Sequence, residues 1–167
     1  VNVATFPSWE TLPHELLSPS FDTVGRRTNL LRRIAHADPH DPLLLPVDVV
    51  VASVRAVVQP ISSSVVETAP VRVRAGDRVD LTACVEALVG LGYERVDLVE
   101  RRGQVAVRGG IVDVFPPSEE HAVRIEFWGD DVEEIRHFSA TDQRSLDLLE
   151  HGLLAPAVRE LLLSLIH

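Results

Sequence analysis

Apolar positions along this chain recur with two different periods, and the character of the pattern changes near residue 70. Beyond it, "VRVRAGD" alternates as a strand. Leu81, Cys84, Val85, Leu88 and Leu91 then recur at helical spacing behind Asp80, a carboxylate suited to capping a helix start, and Gly92 supplies the stop. From Tyr93 the period becomes two. Val96 and Leu98 share one side of a strand, Val105 and Val107 one side of the next, and Val123, Ile125 and Phe127 one side of another, with "ERRG" and "WGDD" as turns. The pattern predicts an antiparallel meander packed on a single helix. Its expected core is Val96, Leu98, Val105, Val107, Ile111, Val123, Ile125 and Phe127 together with the helix from Leu81 to Leu91.

Before residue 70 the grammar is different. "VNVATF" reads as a strand and "PSWETLPHELLSPS" as a loop in which "PHELL" could form a helical turn. Asp22 is the expected cap of a helix from Thr23 to about Ala37, with Val24, Leu31 and Ile34 on one side and Arg26 and Arg33 on the other. "HADPHDP" ends it. "VDVVVAS", Val47 to Ser53, is apolar on both faces, as a central parallel strand should be, and a short helix follows to Gln59. The predicted fold class is therefore α/β plus α+β: residues 1–69 form a partial α/β layer and residues 70–145 an antiparallel sheet on a helix. Residues 146–167 are expected to return to the first layer.

Alternation also assigns side chains to faces. With the apolar set turned toward the helix, Arg95, Asp97, Ala106, Arg108, Arg124, Glu126 and Trp128 project from the opposite, wet side. Gly109-Gly110 permits a bulge or a close backbone approach, and Pro116-Pro117 ends the ladder because proline supplies no N–H. Arg101 and Arg102 are expected to be solvated at a hairpin tip. Such a face suits a protein partner, because arginine beside a carboxylate gives geometrically defined, charge-assisted hydrogen bonds. A nucleic-acid contact and a merely solvated sheet remain open at this point. Against the former, Asp97 and Glu126 repel the phosphates that the arginines would grip, and no aromatic platform beyond Trp128 lies at strand spacing.

Composition narrows the chemistry further. The chain has 167 residues, enough for one domain or two small ones, and a net charge of −9 that disfavours broad adhesion to nucleic acid or acidic membranes. All 16 basic residues are arginine. Without lysine there is neither a P-loop ammonium for terminal phosphates nor a Schiff-base amine. The single Cys84 cannot form an internal disulfide and is expected to pack in the core. "HADPHD" lacks ligand spacing for zinc on a helix face, "WGDDVEE" lacks the oxygen pattern of a calcium loop, and no G-x-S-x-G occurs. No catalytic constellation, metal or cofactor is expected. Nor is a membrane partner: no apolar run approaches the roughly 20 residues of a span and the first residues have no signal-peptide pattern, so the expected location is cytoplasmic.

One long ordered stretch carries a resemblance. "GYERVDLVERRGQVAVRGGIVDVFPPSEEHAVRIEFWGDDVEEIRHFSATDQRSL", Gly92 to Leu146, closely resembles the inserted domain of the UvrB family, in the form found in its transcription-repair coupling branch. "PSWETLPHELLSPSFDTVGRR" and "VVVASVRAVVQP" are similar to the degenerate RecA/helicase-like layer that carries that insertion. The resemblance implies a non-catalytic module that docks UvrA, the damage-recognition ATPase of nucleotide excision repair. It further implies a parent ATP-dependent DNA translocase that also meets RNA polymerase and double-stranded DNA. The family's partner-binding positions fall on Arg95 in "YERVD", Arg108 in "VRGG", and Arg124 and Glu126 in "VRIEF". Where the family has "F-R-V-R-G", this chain has "V-A-V-R-G", with Ala106 at the first arginine position. The charged set is expected to govern docking while sparing stability.

Overall fold

The computed structural model describes residues 1–9, 20–59 and 67–158. The expected turn at "PHELL" and the last nine residues lie outside that range. β1 (Val3–Phe6) and β2 (Val49–Ala52) pair in parallel, as the doubly apolar run at 47–53 predicts. Among the described residues they form a two-stranded sheet, so β2 is not central, and Val49, Val50 and Val51 remain exposed.

Between these strands runs α1 (Phe21–Ala35), and after β2 comes the short α2 (Val54–Val58). Ser20, not Asp22, caps α1: its hydroxyl oxygen accepts the Thr23 N–H at 3.2 Å. Asp22 instead sits in the first turn, where a carboxylate complements the helix dipole, and pairs with Arg26 at 3.0 Å. The buried stripe also differs from expectation. Val24 and Leu30 are buried, Ile34 is exposed, and the Arg27 guanidinium lies 4.1 Å from the ring centroids of both Phe6 and Trp9. Its Nη1 donates to the Pro7 carbonyl at 2.7 Å. A planar cation stacks on aromatic faces as an aliphatic side chain cannot, which the apolar periodicity of α1 does not reveal. Burial lowers the Arg27 pKa to about 10, still leaving the group charged near neutral pH.

The second unit is a small mixed α/β arrangement: a six-stranded sheet, few helices, and a further strand pair. In chain order it contains β3 (Val71–Val73), α3 (Leu81–Gly90), β4 (Glu94–Arg95), β5 (Gln104–Arg108), β6 (Ile111–Val114), β7 (Ala122–Trp128), β8 (Asp131–Phe138), β9 (Ser145–Leu148) and β10 (Leu153–Ala155). The sheet order is β4-β5-β6-β7-β8-β9, antiparallel from β5 to β8 as the alternation predicts, with β9 added antiparallel to β8. β4 departs from the meander, because it pairs parallel to β5. The chain from 96 to 103 crosses back rather than turning tightly. Accordingly "ERRG" is not a hairpin tip, and Arg102 is not simply solvated. It donates to the Glu119 carbonyl at 2.9 Å and lies 4.9 Å from the Phe115 ring centroid.

α3 follows its sequence signals closely. The Asp80 carboxylate accepts the Ala83 N–H at 2.7 Å, so Asp80→Ala should lower stability by about 1 kcal/mol, measurable by denaturant unfolding. At the other end Gly92 takes φ +96°; its N–H bonds Val89 O at 2.9 Å while the Tyr93 N–H bonds Leu88 O at 3.1 Å, the double closure of a glycine-terminated helix. Cys84, Val85 and Leu88 then pack on Val105, Val112, Val114, Val123, Ile125, Phe127, Val132 and Ile135. Burial raises the Cys84 thiol pKa, consistent with a packing role.

Three expected core residues are not in this cluster. Val96 packs on the far face of the sheet, Leu98 is exposed, and Ile111, half-buried, shares its register with Arg108 and Glu126. Residues 145–158 stay with this unit: β9 pairs with β8, β10 forms a separate antiparallel pair with β3, and the Tyr93 hydroxyl donates to the Pro156 carbonyl at 3.0 Å. α1 packs against this unit. A Cβ placed on Gly25 would overlap the Pro117 carbonyl oxygen, and Asp22 Oδ1 lies 3.8 Å from Arg102 Nη2. Among the described residues no helix is long and apolar enough to cross a membrane.

Candidate docking face

The face of the sheet away from α3 grades from dry to wet along each strand. At one end Val99, Ala106, Phe115, Ala122 and Phe138 form a second apolar cluster, so this side is not wet throughout as alternation alone suggests. The chain after β4 folds across it and buries Val99. Two residues further along, on β6 and β7, Asp113 and Arg124 stand opposite each other; two further still come Arg108, Glu126 and finally Trp128, 75% exposed.

Asp113 is the residue that face assignment leaves unnoticed. Only 1% of its side chain is exposed, and it accepts from two arginines on the flanking strands. Arg124 binds it bidentately, Nε to Oδ1 at 2.7 Å and Nη2 to Oδ2 at 2.8 Å, while Arg108 Nη2 reaches Oδ2 at 2.6 Å. A buried carboxylate held this way is satisfied, and its arginine partners gain fixed orientation. The hydrogen bond to Asp113 pushes the Arg124 guanidinium above its ordinary pKa range, and its Cζ lies 4.6 Å from the Phe138 ring centroid. The signal was in "IVDVF": a carboxylate between two inward valines must face the same way as Arg108 and Arg124.

The two arginines are therefore not equivalent. Arg124 is 14% exposed and forms part of the sheet's own packing, whereas Arg108 is 46% exposed and offers most of its donors to solvent. That divides a set expected to spare stability as a whole. Arg136, on β8 beside Arg124, approaches the Glu126 carboxylate at 3.7 Å and pairs with Glu134, adding a residue that the sequence reading omitted.

Arg95 does not join this group. The β4 register aligns Arg95 with Val105 and Glu94 with Gln104, which turns Arg95 toward the α3 side at the exposed sheet edge. The expectation that Val96 and Leu98 point into the main core placed Arg95 on the wrong face. Tyr93 is the inward residue here, and Arg95 shares its parity. Glycine at 110 permits the close approach anticipated for the β5–β6 turn: a Cβ there would lie 2.7 Å from the Phe127 carbonyl oxygen.

The model for the UvrB interaction domain matches residues 71–159, which span every element from β3 to β10, the six-stranded sheet included. The chain belongs to the UvrB interaction domain family. Across 163 residues it is 53% identical to the transcription-repair-coupling factor of Mycobacterium tuberculosis, covering 97% of this chain and 13% of that protein. It is 29% identical over 155 residues to the transcription-repair-coupling factor of Escherichia coli, covering 93% and 13%. UvrABC system protein B of Geobacillus kaustophilus matches 88 residues at 40% identity, covering 52% of this chain and 13% of that one. The chain thus spans about an eighth of the length of the curated relatives it matches. The match to the coupling factors is longer than residues 71–159 and includes α1 and β2.

Proposed function

We propose that this UvrB interaction domain is a non-catalytic docking module that recruits UvrA in transcription-coupled nucleotide excision repair. The observation that carries this reading is the joint placement of Arg108, Arg124 and Glu126 on one sheet face, with Arg108 exposed beside a buried carboxylate and Glu126 next to Arg136. Mixed charges held in fixed geometry recognise a protein of complementary pattern. For Arg95 to act with them, UvrA must also wrap the β4 edge. Residues 1–69 fit a partial, degenerate RecA/helicase-like layer, supported by the parallel β1–β2 pair and by β2 valines left exposed where further strands or helices would cover them. In this proposal the parent protein is an ATP-dependent DNA translocase that also engages RNA polymerase and double-stranded DNA.

Neutralising Glu126 separates protein docking from direct nucleic-acid contact. Glu126→Gln should weaken binding of UvrA and leave duplex DNA unbound at physiological salt. If the variant instead binds duplex DNA more tightly, with an affinity that falls steeply as salt rises, the face contacts phosphates and the proposal is rejected.

A further inference from the structure

We propose that Asp113 is the positioning residue of the docking face: it does not touch the partner, and it sets the geometry in which Arg108 and Arg124 are presented. This rests on the reading that the face docks UvrA.

Asp113 sits on β6, between the strands that carry the two arginines. It lies opposite Ala106 on one side and opposite Arg124 on the other. The small Ala106 leaves the carboxylate unobstructed on the β5 side, and Arg108 reaches it diagonally. Three hydrogen bonds of 2.6 to 2.8 Å converge on one carboxylate that is almost wholly removed from water.

Each bond restricts a guanidinium plane. Arg124 spends Nε and Nη2 on Asp113, so only its remaining edge can face a partner. Arg108 spends one Nη2 contact and keeps Nε and Nη1 for recognition. Without the carboxylate, two cations on flanking strands would repel each other and their long side chains would splay. The ordering entropy, now met when the domain folds, would then fall on the binding step. The carboxylate also neutralises one of the two cations, which makes the region around Arg108 and Glu126 a matched pair of charges rather than a basic patch.

Asp113→Asn keeps the shape and removes the charge. Calorimetric titration of UvrA into the chain should show binding weakened on the order of tenfold, the scale of losing charge-assisted hydrogen bonds. In an Arg108→Ala background the same substitution should add distinctly less, because part of its effect passes through Arg108. Equal losses in both backgrounds, or wild-type affinity for Asp113→Asn, would overturn the inference. Should Asp113→Asn fail to fold, nuclear magnetic resonance on the unmodified chain decides. Rotation of the Arg108 guanidinium about its Nε–Cζ bond should be slow although the side chain is half exposed, and free rotation would equally reject the inference. Absence of any UvrA binding by the wild-type chain would count against the docking reading, and slow Arg108 rotation in that case would still support its restraint by Asp113.

Discussion

Arg124→Ala should lower unfolding stability by about 2 to 4 kcal/mol, because it strips two of three hydrogen bonds from a carboxylate buried inside the sheet. The cost arises chiefly from Asp113, left in low dielectric with Arg108 alone. Loss of the packing between the guanidinium and Phe138 adds to it. Arg108→Ala leaves the bidentate pair intact and removes a half-exposed group, so its cost should stay within about 1 kcal/mol. Urea unfolding of the two variants tests the difference. Equal, small losses would mean that Asp113 is hydrated and the face is an ordinary solvated surface.

Gly25→Ala should be as damaging or more, although alanine normally strengthens a helix interior by up to about 1 kcal/mol. The added methyl would overlap the Pro117 carbonyl oxygen and sit 2.9 Å from the Ser118 nitrogen, both backbone atoms without a rotamer to yield. α1 must therefore move away from the loop after β6. That movement would disturb the Arg102–Asp22 contact at 3.8 Å and the packing of Phe21 on the main core. A loss of about 3 kcal/mol is expected, at the upper end for overpacking. Hydrogen exchange should show faster opening of α1 with α3 little changed. A stabilised Gly25→Ala protein would contradict the described contact between the two units.

What was legible in the sequence followed local rules. α3 was predicted from its stripe, cap and closing glycine, and the antiparallel register from β5 to β8 followed the alternation of Val105, Val123, Ile125 and their neighbours. Arg108, Arg124 and Glu126 were correctly assigned to one face by the same rule. The misplacements came from long-range choices that no local pattern encodes. The parallel pairing of β4 moved Arg95 to the other side and let Val96 and Val99 cover part of the face expected to be wet. Arg27 was hidden for a related reason, since its burial depends on Phe6 and Trp9, which come from β1 and the residues after it. Asp113 is legible in principle, since its place between Val112 and Val114 turns it to the face that carries Arg124, but alternation alone does not show that it is buried.

In the proposed docking mode Arg108 presents its guanidinium to a protein partner and contributes to recognition rather than to folding. Calorimetric titration of UvrA with the wild-type chain and with Arg108→Ala, both shown to be equally folded, tests it most directly. Measurable wild-type binding is expected, with a loss of roughly 1 to 3 kcal/mol in the variant, the range for a charged hydrogen bond. Equal affinities for the two proteins would contradict it.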